Sequence, residues 1–261
     1  MALINAYPST SLYNGIPFIH DMGDAAQIYA DDLNYLKGLL DKHDMPPSVC
    51  IKLIHIHFHL NEGEILAISE ISAPPYGQIP FLAPMTPDAE TKVYGCHYIV
   101  DDAGNLQPFE FTTNQRGVDL AAYPAFVSEF CAAVAQRGLK HKFGLSIKSG
   151  AAEHGSWIEL DYPEKRATFL IPSHVSLPQS EHVEQRTTKT LFSSSKGEIE
   201  NPSNPTGTHI HTEHYHAGQL MDDDKPIVEG VTTDGGLFLT GIPLDPASAF
   251  YTVVSAISAA A

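Results

Sequence analysis

Apolar and polar positions along the chain follow two periods. Over residues 22–42, Tyr29, Leu33, Leu36 and Leu40 recur at spacings of three and four, which predicts one amphipathic helix. Asp21 or Asp24 is placed to cap its start, and Pro46-Pro47 block its continuation. A second helix is predicted over 124–137. Pro124 suits its first turn, Val127, Phe130, Cys131 and Val134 form its stripe, and Gly138 closes it.

Elsewhere the period is two. Three hairpins are predicted: 51–60 with 64–71 around Asn61–Glu64, 92–100 with 106–112 around Asp101–Asn105, and 156–162 with 165–171 around Pro163-Glu164. A further strand is expected at 142–148. The order is helix, four strands, helix, three strands, which predicts an α+β fold: a mainly antiparallel sheet of hairpins, two flanking amphipathic helices and a long polar insert. The core domain is read as 1–172. Residues 173–232, rich in Ser, Pro and His, read as an excursion, and 233–261 as a segment packing back on the core. The run of helix, short loop and strand occurs twice, near 22 and near 124, without residue identity to match.

The most informative stretch is Ile51-Lys-Leu-Ile-His-Ile-His-Phe-His-Leu60. On a strand, Ile54, Ile56, Phe58 and Leu60 point one way and His55, His57 and His59 the other. In the predicted hairpin His55 lies opposite Glu70, and Leu66 and Ile68 join the histidine face, making it a cavity wall. In the next hairpin, setting Asp102 opposite Asn105 places His97 opposite Glu110, a pairing that a slip of one residue destroys.

Neutral imidazoles bind zinc, copper and iron, often with a carboxylate. Alternate residues of a strand lie about 6.5–7 Å apart, within reach of one ion. His57 and His59, with His55 or His97 and a carboxylate such as Glu64, are therefore the candidate metal ligands. The spacing of His57, His59 and Glu64 resembles the first motif of cupin metal sites. That resemblance covers eight residues; the surrounding glycines and the second half of the pattern are not recognisable, so the family is not carried over.

Other stretches carry weaker signals. His209 to His216 holds four histidines and a glutamate within a polar segment, which suits a surface chelator. Lys140-His141-Lys142 is a helix-to-strand loop, Trp157 and Glu159 share a strand face with Thr168 opposite Glu159, and Tyr76–Pro84 reads as a Pro-containing connection. There is no GxGxxG, P-loop, GxSxG or HExxH.

Composition narrows the partners. A formal charge of −16 opposes binding to phosphate backbones and to anionic membranes. Hydrophobic residues at 43% suffice for a core. The amino terminus lacks the pattern of a secretory signal, and the odd count of three cysteines disfavours a disulfide framework, which together predict a cytoplasmic protein. The leading expectation is a metal-dependent enzyme (oxygenase, lyase or hydrolase) using a divalent iron, copper or zinc ion on a small organic molecule. The second is a cofactor-free isomerase, cyclase or dehydratase in which Glu70 and Glu110 orient His55 and His97. The third is a nonenzymatic metal- or ligand-binding protein.

Overall fold

The structure is a computed structural model and describes residues 3, 6–22, 24–72, 77–114, 117–148, 156–162, 166–172, 184–194, 208–216, 219–220, 228–231, 237–239 and 242–243. Four α-helices are present among them: α1 (Thr10–Asn14), α2 (Ala25–Ile28), α3 (Ala30–Lys42) and α4 (Pro124–Gln136). The strands of the main sheet are β1 (Val49–Leu53), β2 (Ile65–Ser72), β3 (Gln78–Met85), β4 (Tyr94–Val100), β5 (Leu106–Thr112), β6 (Phe143–Ile147), β7 (Ser156–Tyr162), β8 (Ala167–Pro172), β9 (Glu184–Lys189), β10 (Leu191–Phe192), β11 (Thr208–His216) and β12 (Gln219–Leu220). They are ordered β10-β1-β6-β4-β5-β2-β3-β8-β7-β11-β12, with β9 also paired to β11. Only β2 with β5 and β7 with β11 are parallel, so the sheet is mainly antiparallel, as the period-two pattern predicts. Val228–Val231, Leu237–Leu239 and Ile242–Pro243 form a separate small sheet. No helix among the described residues is long and apolar enough to cross a membrane.

The helices bury the residues their spacing selects. Leu33, Leu36 and Leu40 of α3, and Val127, Phe130 and Val134 of α4, join one core with Val49, Ile51 and Leu53 of β1, Tyr98 and Val100 of β4, and Phe143 and Leu145 of β6. Pro124 opens α4, and Gly138, at φ +68°, closes it. The Leu139 N–H returns to the Val134 carbonyl at 2.9 Å, the C-terminal bond that a left-handed glycine permits. The single helix expected over 22–42 is instead two, parted at Tyr29 (φ −107°, ψ 31°). Its ring meets Phe143 edge-on, and Lys142 lies over it. Packing of the half-buried tyrosine against the sheet thus coincides with the break.

The first expected hairpin is not formed. β2 pairs with β3 along its length and with β5 at Leu66–Ile68, while β1 lies between β6 and β10. β3 itself was expected as a connection because of its prolines. It tolerates Pro80 and Pro84 because its second edge meets β8 only at Phe81 and Leu82. Residues 54–60 leave the sheet after β1 and are held by the amino-terminal segment instead. Ile56 N–H donates to the Pro17 carbonyl at 3.0 Å, and Asn14 bonds both backbone groups of Leu60 at 2.9 Å. The alternation of that stretch survives the change of partner: Ile54, Ile56, Phe58 and Leu60 are buried in a second core with Tyr13, Ile16, Phe109 and Phe169.

The second and third hairpins are present as β4–β5 and β7–β8. In the third, Thr168 opposes Asp161, and Glu159 opposes Leu170, two residues from the expected register. Within 173–232, Thr190, Leu191 and Phe192 are buried and β10 completes an edge of β1, so this stretch belongs to the main sheet. The His209–His216 backbone forms most of β11, and its side chains lie outside the described residues, as do those of Trp157 and Glu159 and the apolar stretch 250–257.

Candidate functional site

The face of the sheet opposite α3 and α4 carries a row of polar side chains. Cross-strand partners share a face, and the register runs Cys50 to Ser146, Ser146 to His97, His97 to Glu110, and Glu110 to Leu66, crossing β1, β6, β4, β5 and β2. One step further along β1, Lys52 lies opposite Gly144. Lys52, Ser146, His97 and Glu110 form one wall of a narrow cleft. Ile68, Leu82, Leu170 and Leu191 supply apolar walls, and Thr112, His57 and Lys148 reach the same space.

His97 and Glu110 meet because the strands are irregular there. From Val100↔Leu106 to Tyr98↔Pro108, and again at Gly95↔Phe111 and Tyr94↔Thr112, β4 and β5 keep one register; His97↔Glu110 alone is displaced by one residue. Cys96 is the extra residue on β4 and Phe109 the extra residue on β5, two opposed bulges that cancel. The register beside the turn differs by one residue from that expected, and the bulges restore the expected His97–Glu110 pairing.

The electrostatics follow from burial. His97 Nδ1 is in short contact with Glu110 Oε2, and both side chains are buried. Burial alone raises the Glu110 pKa, but the charges of His97, Lys52 and His55 and the hydrogen bond from His97 outweigh it and hold the carboxyl below its ordinary range. An ionised Glu110 fixes the proton on His97 Nδ1 and leaves Nε2 as the nitrogen that exchanges protons. The Cys96 thiol donates to the Glu110 carbonyl at 3.4 Å, and burial together with the Glu110 charge pushes its pKa far up, so it is a neutral wall group and no thiolate nucleophile.

The histidines of 55–59 do not form one face of a strand. His55 is buried, and its Nδ1–H donates to the Leu53 carbonyl at 2.9 Å, which fixes its tautomer. His57 is half-buried, lines the cleft and meets the His55 ring edge-on at 5.0 Å. His59 is exposed and packs on Phe18. Glu64 is engaged by Arg166 through two bonds of 2.6 and 2.9 Å and by the Asn61 N–H at 2.7 Å. Arg166, above all, brings its pKa down to about 2. Glu70 lies opposite Pro80 and accepts from Asn114 at 3.2 Å; it has no hairpin register with His55. Among the described residues, no three His, Cys, Asp or Glu side chains are gathered as metal ligands. In the Lys140–Lys142 loop, both lysines bond backbone carbonyls, of Asp102 and Gly138.

Three cleft residues escape a reading of the sequence: Lys52, Lys148 and Ser146. Lys52 had a signal, a lone charge inside the apolar run Val49–Ile54. Even-numbered residues of β1 face the cleft, whereas after Leu53 the odd-numbered His57 does. The change of parity at the end of β1 moves Ile51 and Leu53 to the helix side and hides Lys52 from a count that assumes one continuous strand. Comparison with known protein families, with curated proteins and with solved structures finds no match.

Proposed function

We propose that the chain is a cofactor-free enzyme that transfers a proton on a small organic molecule bound in the cleft, in the manner of an isomerase, cyclase or dehydratase. The observation that carries this reading is the buried His97–Glu110 pair in a cleft wall. His97 Nε2 takes a proton from carbon beside a carbonyl, the resulting imidazolium is stabilised by the Glu110 carboxylate, and the same nitrogen returns the proton. Excluding water from the cleft strengthens that ion pair.

The test is carbon-bound hydrogen exchange in D2O, followed by NMR, with 2-oxobutanoate, 4-oxopentanoate and butanone as probes. The wild-type protein should accelerate deuterium uptake on at least one of them. His97→Gln should slow it by about 10²-fold or more, and Glu110→Gln should slow it while leaving the protein folded. Uptake at the buffer rate with every probe, or undiminished in His97→Gln, counts against the reading. The contact between the His55 and His57 rings supports a second reading, a transition-metal site on this segment. Metal retained by untagged wild-type protein and lost from His57→Ala would favour it.

A further inference from the structure

We propose that Lys52 makes the inner end of the cleft a carboxylate subsite, so that the substrate is a small carboxylic acid with an apolar body. The inference rests on the cleft being the substrate site and adds the chemical class of what it takes. Lys52 is only 2% exposed, yet it lines the cleft. Among the described residues no carboxylate lies within ion-pair distance of its ammonium. Its charge is felt by Glu110, but the Glu110 carboxylate is in direct contact with His97. An ammonium removed from water and given no contact partner is unfavourable, as any buried ion is. A bound anion would offset that cost.

The balance of charge around the cleft points the same way. Among the described residues, Lys52 and Lys148, 2% and 7% exposed, are the lysines of its lining, and Glu110 is its one carboxylate. Lys52 and Lys148 both bring positive charge to the cleft of a protein whose formal charge is −16. The buried ammonium of Lys52, with no carboxylate in contact among the described residues, suits a monoanion. Among the described residues the lining holds no arginine, whose fork matches a phosphate, and no helix amino terminus. Ser146 and Thr112 add hydroxyl donors, and Ile68, Leu82, Leu170 and Leu191 line the remainder with hydrocarbon. A carboxylate joined to a short aliphatic body fits both parts.

The test compares 3-methylbutanoate with its uncharged isostere, 3-methylbutanamide, and with inorganic phosphate. Each is titrated into the full chain at constant ionic strength and followed by backbone amide shifts in β1 and β6. The acid should bind at least tenfold more tightly than the amide, with its shifts centred on Lys52 and Ser146, and phosphate should bind more weakly than the acid. Lys52→Met should reduce the acid to the level of the amide, and Lys52→Arg should retain part of the preference. Thermal unfolding establishes that the variants are folded, and should Lys52→Met not fold, the acid–amide comparison on wild type decides alone. Equal binding of acid and amide, a preference that survives in folded Lys52→Met, or tighter binding of phosphate at the same amides overturns the proposal. His97→Gln separates the two readings. It should lose proton transfer and keep the preference for the acid, whereas a wild type that exchanges protons without that preference sinks the subsite alone.

Discussion

Two glutamates show how differently one residue type is used in this chain. Glu110 is ionised in a buried site because cations surround it, whereas Glu64 is ionised at the sheet's rim because Arg166 grips both its oxygens. The rim pair has a consequence for acid stability. The folded Glu64 pKa lies near 2, below its ordinary value of 4.5, so the pair's contribution is complete above the ordinary value and fades as pH falls toward 2. Glu64→Gln should therefore lower stability at pH 7 by about 1 kcal/mol, the size of a partly exposed bidentate pair. The gap between variant and wild type should close as the pH drops from about 4.5 to 2. Urea unfolding at a series of pH values measures this, and a gap that stays constant with pH would assign the loss to packing. The spacing of His57, His59 and Glu64 suggested a metal ligand because spacing carries no information about a partner a hundred residues away. Arg166 was invisible to it.

At the scale of elements, patterns that depend on the chain's own neighbours were legible, and those that depend on remote partners were not. The β4–β5 hairpin follows from its turn, where Gly104 takes φ +82° and the Asp101 carboxylate accepts from the Asn105 N–H at 2.7 Å. The apolar face of 54–60 was legible as a face. Its partner was not, since the choice between β2 and the amino-terminal segment rests on Asn14 and Pro17 meeting it in three dimensions. Bulges are equally hidden, because Cys96 and Phe109 look like ordinary strand residues. One feature beside the site sets a tight limit: a methyl group on Gly144, opposite Lys52, would lie 2.0 Å from the Tyr98 carbonyl oxygen. Gly144→Ala must therefore push β4 from β6, at a cost of about 1–3 kcal/mol, and move His97 relative to Lys52. Gly38→Ala, in α3 with open space around it, should raise stability by roughly 0.5–1 kcal/mol. Opposite signs in thermal unfolding are expected, and a neutral Gly144→Ala would mean that the strands are less closely packed than this.

For the whole molecule, the sheet separates two environments. α3 and α4 seal one face with an apolar core, while the other face holds the ionised row, and the two share the backbone of β1, β4 and β6. The buried Lys52 ammonium inside a molecule of formal charge −16 creates a conflict for an anionic ligand, attracted at the end of its path and repelled along the way. Salt resolves the conflict unequally. The Debye length shrinks from about 30 Å at 10 mM salt to about 8 Å at 150 mM, which screens the long-range repulsion but reaches little into a buried contact. Association of 3-methylbutanoate should therefore speed up as salt is added across this range, with its dissociation rate nearly unchanged, and 3-methylbutanamide should show neither effect. Exchange line shapes in NMR titrations at several salt concentrations give both rates. An association rate that falls with salt would mean that the lysines dominate the field well beyond the cleft mouth, and that the acidic surface does not govern the ligand's approach.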